Sequence, residues 1–253
     1  MIVAAHQPHY LPWLGYLAKI AAADLFVVMD DLQYEAQNFQ NRNRLKLNHG
    51  PQWMVVPLER GPQDERILDK RIVNRGSPKE HWQRKTWHTL RIHYGSAPFW
   101  KLYEPELAEI YTRPWVELVE LQLHLLRLHL RWFEIYTPVL RASSLALRGQ
   151  KTDRLESMCL AVGADAYLSG GGGSRRYLDV EQLARAGVRV QWQSFTHPVY
   201  PQRYPSLGFK PNLAALDCLF NCGPDAARLL RESLPHEAPM KPMKEQPSME
   251  VAI

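Results

Sequence analysis

Ile2-Val3-Ala4-Ala5-His6-Gln7-Pro8-His9-Tyr10-Leu11-Pro12-Trp13-Leu14-Gly15-Tyr16 opens the chain, and its reading decides the fold. The apolar residues 2–5 are too few for a helix and suit a short buried strand. Two prolines then fix φ and remove amide donors, so residues 6–13 read as a stiffened loop carrying histidine, glutamine and aromatic rings. Helical spacing resumes from Leu14 to Ala22, with Leu14, Leu17 and Ile20-Ala21 on the inward face. Strand, rigid polar loop and helix is the order in which α/β proteins place a site at the end of a first strand.

Working outward, Leu25 to Met29 is a continuous apolar run of strand length, as expected for a parallel sheet covered on both faces. Asp30 and Asp31 follow it directly. A right-handed crossover between the two strands puts these acids on the same sheet edge as His6. Residues 37–46 are polar, and around the turn at Asn48-His49-Gly50 the segments 45–47 and 53–58 read as a hairpin. Asn38, Gln40, Asn41, Arg42 and Asn43 are rich in donors that suit phosphate, carboxylate or sugar hydroxyls; the alternative is a solvated loop. Ile72-Val73 adds an expected edge strand. Helices are predicted over 78–93, 99–111 and 115–133, the last with Leu118, Leu121, Leu125, Leu128 and Trp132 in register. A second αβ alternation follows: strand 139–143, helix 151–162, strand 164–168, helix 180–186 and strand 188–195, then helices 209–221 and 225–233. The pattern predicts an α/β fold with a Rossmann-like, mostly parallel sheet and a helical insertion at about residues 78–133. One domain is expected over 1–233, and residues 234–253, rich in Pro, Met and Lys, read as a flexible tail.

Composition narrows the class. The 253 residues carry 31 basic and 26 acidic side chains, a formal net charge of +5. That excess favours anionic ligands generally and is too small to imply nucleic acid by itself. Cys159, Cys218 and Cys222 match neither a disulfide framework nor a zinc motif and read as apolar fillers. No stretch resembles a signal peptide or a membrane span, so a cytoplasmic location is expected. No cofactor and no oligomeric state can be read from the chain, and no compact ligand spacing supports a metal site.

Four polar clusters each follow a predicted strand, so an open parallel sheet would gather them along its carboxyl edge. His6 is the general-base candidate, against the alternative of a histidine bonded to nearby backbone. Asp30 or Asp31 would orient a histidine, hold a ribose or sugar hydroxyl, or bind a divalent ion; the alternative is that one acid caps the next segment. Ser169, Gly170 and Gly171 begin a glycine loop whose amides could cradle an anion with help from Arg175, although the Lys-Ser/Thr ending of a Walker A loop is missing. His197, with Tyr200, forms the fourth cluster. No Gly-x-Ser-x-Gly elbow marks a serine nucleophile.

In this order the residues resemble the WbqC-like protein family. The match runs through His6-Gln7-Pro8-x-Tyr10-Leu11-Pro12-Trp13-x-Gly15-Tyr16, Asp30-Asp31-x-Gln33-Tyr34, residues 40–44, Gln52-Trp53, Tyr167-Leu168-Ser169-Gly170, Tyr177-Leu178-Asp179, residues 197–202, and Leu219-Phe220-Asn221 before Gly223. The loop from Gly170 to Tyr177 is longer and richer in glycine than the family's usual form, which leaves its ligand open. The resemblance brings Gln7, Tyr10, Gln33 and Tyr177 into the expected substrate contacts. It also implies an association with surface-polysaccharide (O-antigen) gene clusters, and transfer of a glycyl or related acyl group onto an amino sugar. The expected activity is therefore that of a transferase acting on an activated or nucleotide-linked small molecule, with His6 taking the proton of the attacking amine. A nucleotidyltransferase or ATP-dependent ligase-type enzyme, and a non-catalytic ligand-binding protein, stay open beside it.

Overall fold

A computed structural model describes residues 1–75, 81–172 and 177–234. Five strands form one parallel sheet: β1 (Ile2–His6), β2 (Leu25–Val28), β5 (Val139–Arg141), β6 (Ala166–Ser169) and β7 (Arg189–Trp192). Their spatial order is β5-β2-β1-β6-β7. β1 is central, pairing Val3 with Leu25 on one side and Ile2 with Ala166 on the other. Successive strands run outward from β1 in opposite directions, so the topological switch lies between β1 and β6. Open α/β sheets form their crevice at such a point, beyond the strands' carboxyl ends.

The apolar runs lack polar alternation because both sheet faces are covered. Ala4, Phe26, Val28, Val139 and Leu168 point into the larger core. That core includes α1 (Leu14–Ala21), α2 (Trp82–Tyr94), α3 (Trp100–Thr112), α4 (Leu118–Trp132), α7 (Ala215–Cys222) and α8 (Asp225–Glu232). Val3, Ala5, Val27, Met29 and Tyr167 point the other way, against α5 (Lys151–Ala161) and α6 (Val180–Arg185) through Leu155, Met158, Cys159 and Leu183. The three helices α2 to α4 fall between residue 55 and β5 in the chain. No helix among the described residues is long and apolar enough to cross a membrane.

Several boundaries move for physical reasons. The hairpin is β3 (Arg42–Leu47) with β4 (Gly50–Val55), so the polar residues 42–44 lie in a strand and not in a loop. Asn43 accounts for this: fully buried, it donates from Nδ2 to the Leu11 carbonyl and ties the hairpin to the opening loop. The helix expected from Phe209 begins only at Ala215, because Asn212 has φ +57° and Ala214 bridges to Trp13. Ile72 makes one isolated bridge to Leu58 in place of an edge strand. Residues 235–253 of the expected tail, Arg175 and the second half of the glycine loop lie outside the described residues.

Candidate functional site

The loop after β1 is held from three sides. The Tyr10 amide donates to the Phe39 and Gln40 carbonyls at 3.1 and 3.2 Å. Gln122 on α4 donates to the Pro8 and Gln40 carbonyls at 3.2 and 2.7 Å, and the Ala215 amide to the Pro12 carbonyl at 2.8 Å. Leu11 sits at φ +50°, a left-handed conformation unfavourable for leucine, and these bonds over-determine it. The loop presents its side chains from a rigid frame.

A cavity of about 620 Å³ opens at the switch between β1 and β6. His6, Gln7, His9 and Trp13 of the opening loop line it, with Lys19 from α1, Phe39 and Arg44 from the hairpin region, and Tyr167 and Gly170 from β6 and its loop. Glu35, Asn38, Gly172, Tyr177 and Asn212 complete the rim and walls.

His6 Nδ1 lies 3.1 Å from the Gln7 carbonyl oxygen. A carbonyl can only accept, so Nδ1 carries the proton and Nε2 presents a lone pair. Burial, then the charge of Lys19, lower the His6 pKa to about 4, against the opposing bond to Gln7. His6 is neutral at physiological pH. His9 is edge-on to it, ring centroids 4.8 Å apart, and stacks on Tyr16 at 4.5 Å. Burial, His6 and Lys19 hold His9 well below the usual histidine range. Lys19 donates to the Ala5 carbonyl at 2.8 Å, and burial brings its ammonium down to about 8.

The expected site residues divide into two sets. His6, Gln7, Asn38, Gly170 and Tyr177 come together around the cavity. The acids do not reach His6. Asp30 is fully buried and accepts from Arg141 Nε and Ser143 Oγ, both at 2.7 Å, and from the Ser143 amide at 3.0 Å. Asp31 pairs with Arg154. Each carboxylate thus anchors the end of β2 to a distant segment. His197 lies apart from the lining: Nδ1 donates to the Pro198 carbonyl at 2.8 Å, and its ring packs among Phe195, Tyr200 and Phe209. Tyr200 donates to buried Asp217 at 3.0 Å, and Tyr10 shares a hydrogen bond with Tyr111 at 2.9 Å.

The remaining amides and guanidinium are mostly structural. Gln33 donates to the Gln63 carbonyl, Asn41 to Val56 and Arg42 to Gln37, while Gln40 accepts from the Glu35 amide. Ser169 is buried, with its carbonyl accepting from the Gln193 amide at 2.7 Å, and Gly171 passes close to the Gln193 carbonyl without lining the cavity.

Sequence reasoning passed over His9, Lys19, Tyr167 and Asn212 as site residues, and placed Arg44 only within the donor-rich segment 37–46. Lys19 is the single charged residue in Leu14–Ala21, which by itself suits an exposed face; its burial with every neighbour except Ala21 is decided by the fold. His9 carried no local signal, since only the folded loop shows that its ring is enclosed.

Fold and site together define a Rossmann-like α/β protein with a cationic, histidine-bearing cavity at the topological switch of its sheet. The chain belongs to the WbqC-like protein family, whose pattern matches residues 7–229. It is 33% identical over 233 residues to the uncharacterized protein Rv1507c of Mycobacterium tuberculosis (strain ATCC 25618 / H37Rv), covering 90% of this chain and 97% of that one. No solved structure matches the chain.

Proposed function

We propose that the protein is a transferase acting on an activated or nucleotide-linked small molecule, moving a glycyl or related acyl group onto an amino sugar in polysaccharide biosynthesis. The observation that carries this reading is His6: its Nδ1 proton is committed to the Gln7 carbonyl and its Nε2 lone pair belongs to a cavity at the sheet switch. His6 takes the proton from the attacking amine as nitrogen bonds to the acyl carbonyl carbon; the bond from that carbon to the donor's leaving group then breaks, and the imidazolium returns the proton to the departing group. An imidazole with a pKa near 4 is a weak base, but an anionic substrate beside it favours the imidazolium and raises that value on binding. Proton uptake is thereby tied to substrate occupancy. Arg44, Asn38 and the Gly170 backbone hold the anionic part, and Tyr177 covers the rim. Asp30 and Asp31 serve by fixing the loop after β2.

A thermal-shift panel of nucleotides, nucleotide sugars and aminoacyl donors identifies the ligand class. With that donor and an amino-sugar acceptor, His6→Ala should lower turnover about 10²- to 10⁴-fold while leaving the melting temperature within a degree or two. Turnover that survives the substitution removes His6 as the base.

A further inference from the structure

Lys19 and His9 share a condition that proteins rarely tolerate. Each is 4% exposed, and both line the cavity. Among the described residues the Lys19 ammonium donates to the Ala5 carbonyl at 2.8 Å and lies 6.0 Å from the centroid of the Tyr167 ring, and no carboxylate pairs with it. Neither ring nitrogen of His9 has a hydrogen-bond partner among the described residues. Burying a cation without a counter-ion, and an imidazole without a partner, costs several kcal/mol in principle unless something in the site compensates. Arg44, also at the cavity, has an unbonded Nε and stacks its guanidinium over Trp53 at 5.4 Å. The one acid of the lining, Glu35, is exposed and already accepts from Asn38 at 2.8 Å.

We propose that Lys19 and His9, with Arg44 at the wall, form an oxyanion subsite that holds a carboxylate or phosphate group of the small molecule. An oxyanion accepts from the ammonium, the His9 N–H and the guanidinium together and neutralises the buried charge. A cationic or apolar ligand would leave those donors unpaired. Lys19 is close enough to act electrostatically on both imidazoles, so an anion bound there also relieves the field that keeps His6 weakly basic. This subsite rests on the transferase reading only in taking the same cavity as the ligand site.

The test uses the full-length chain at low ionic strength, with imidazole nitrogens and lysine ε-carbons followed by NMR during titration with inorganic phosphate or acetate. Sodium chloride at matched ionic strength is the control. Phosphate or acetate should shift the His9 resonances and move the Lys19 titration to higher pH; response to phosphate alone identifies a phosphate subsite, response to acetate alone a carboxylate subsite. Lys19→Met should bind the responding anion about tenfold or more weakly, and Lys19→Arg should recover part of the loss. A wild-type response no larger than that to chloride, or an undiminished response in Lys19→Met, overturns the subsite. His6→Gln should keep the anion response while losing turnover, so the subsite and the base assignment fail separately.

Discussion

Two buried polar clusters in this protein differ in one respect that separates structure from function. Around Asp217, on α7, every group is partnered. Tyr94 donates to its Oδ1 at 2.7 Å, Tyr200 and Gln202 donate to its Oδ2 at 3.0 Å, and Lys46 donates its ammonium to the Gly208 carbonyl at 2.7 Å. Around the cavity, His6 and Lys19 bond only to the backbone carbonyls of Gln7 and Ala5, and neither His9 nitrogen has a hydrogen-bond partner among the described residues. The closed network ties helix α2, the hairpin and the segment around residues 200–210 into the core. The open one ties α1 to β1 through Lys19 and Ala5 but leaves polar capacity facing the cavity, and that is the mark of a ligand site.

The sharpest way to break the comparison is to remove one member of each cluster. Asp217→Ala strands the Tyr94, Tyr200 and Gln202 donors, and should cost about 3–5 kcal/mol in urea unfolding. A loss below about 1 kcal/mol would show that the network is not structural. His6→Ala, by contrast, should fall on turnover and hardly on stability, as stated above.

A smaller effect comes from pH, and here the clusters act with opposite sign. Burial raises Asp217 to about 6, above an unfolded carboxylate near 4. The folded state therefore holds the proton more tightly, and the contribution of Asp217 to stability is greatest below about pH 4 and is lost as pH rises through 6. Burial lowers His6 to about 4, below an unfolded histidine near 6.5, so its contribution is full above about pH 6.5 and is lost as pH falls through 4. His9 and the buried His129, likewise lowered, act in the direction of His6. Unfolding measured between pH 4 and 7 should thus show Asp217→Asn with a steeper rise of stability with pH than wild type, and His6→Gln with a shallower one. The same slope in both variants would contradict the assignment.

The smallest effect is the most diagnostic. Lys19→Met replaces a buried, unpaired ammonium by an apolar chain of similar length, and should stabilise the ligand-free protein by about 1 kcal/mol while weakening anion binding. Calorimetry in the absence of anions reads the first change. A destabilised Lys19→Met would place Lys19 with the structural cluster.

Much of the architecture was readable because it is local. Residues 2–6, 25–28 and 166–169 are strands as their apolar runs require, and Leu118–Trp132 is a helix on the leucine spacing. Glycine loop, opening loop and β2 do end on one sheet edge, because parallel strands joined by crossovers point the same way. The surroundings of the two acids were not legible, for a non-local reason. Their partners, Arg141 and Arg154, lie 111 and 123 positions away, and nothing in Asp30-Asp31 distinguishes an anchor from an orienting carboxylate.

The sequence by itself determined the alternation of strand and helix, the stiff loop at residues 6–13 and the family pattern, since periodicity, proline and turn chemistry act over a few residues. Only the tertiary structure decided that β1 stands between β2 and β6, that Asp30 and Asp31 pair with Arg141 and Arg154, and that, among the described residues, His9 is enclosed without a hydrogen-bond partner and Lys19 without a counter-ion. Whether a polar group is satisfied depends on what the whole fold brings within 3 Å of it, and that is not written in any one stretch of the chain.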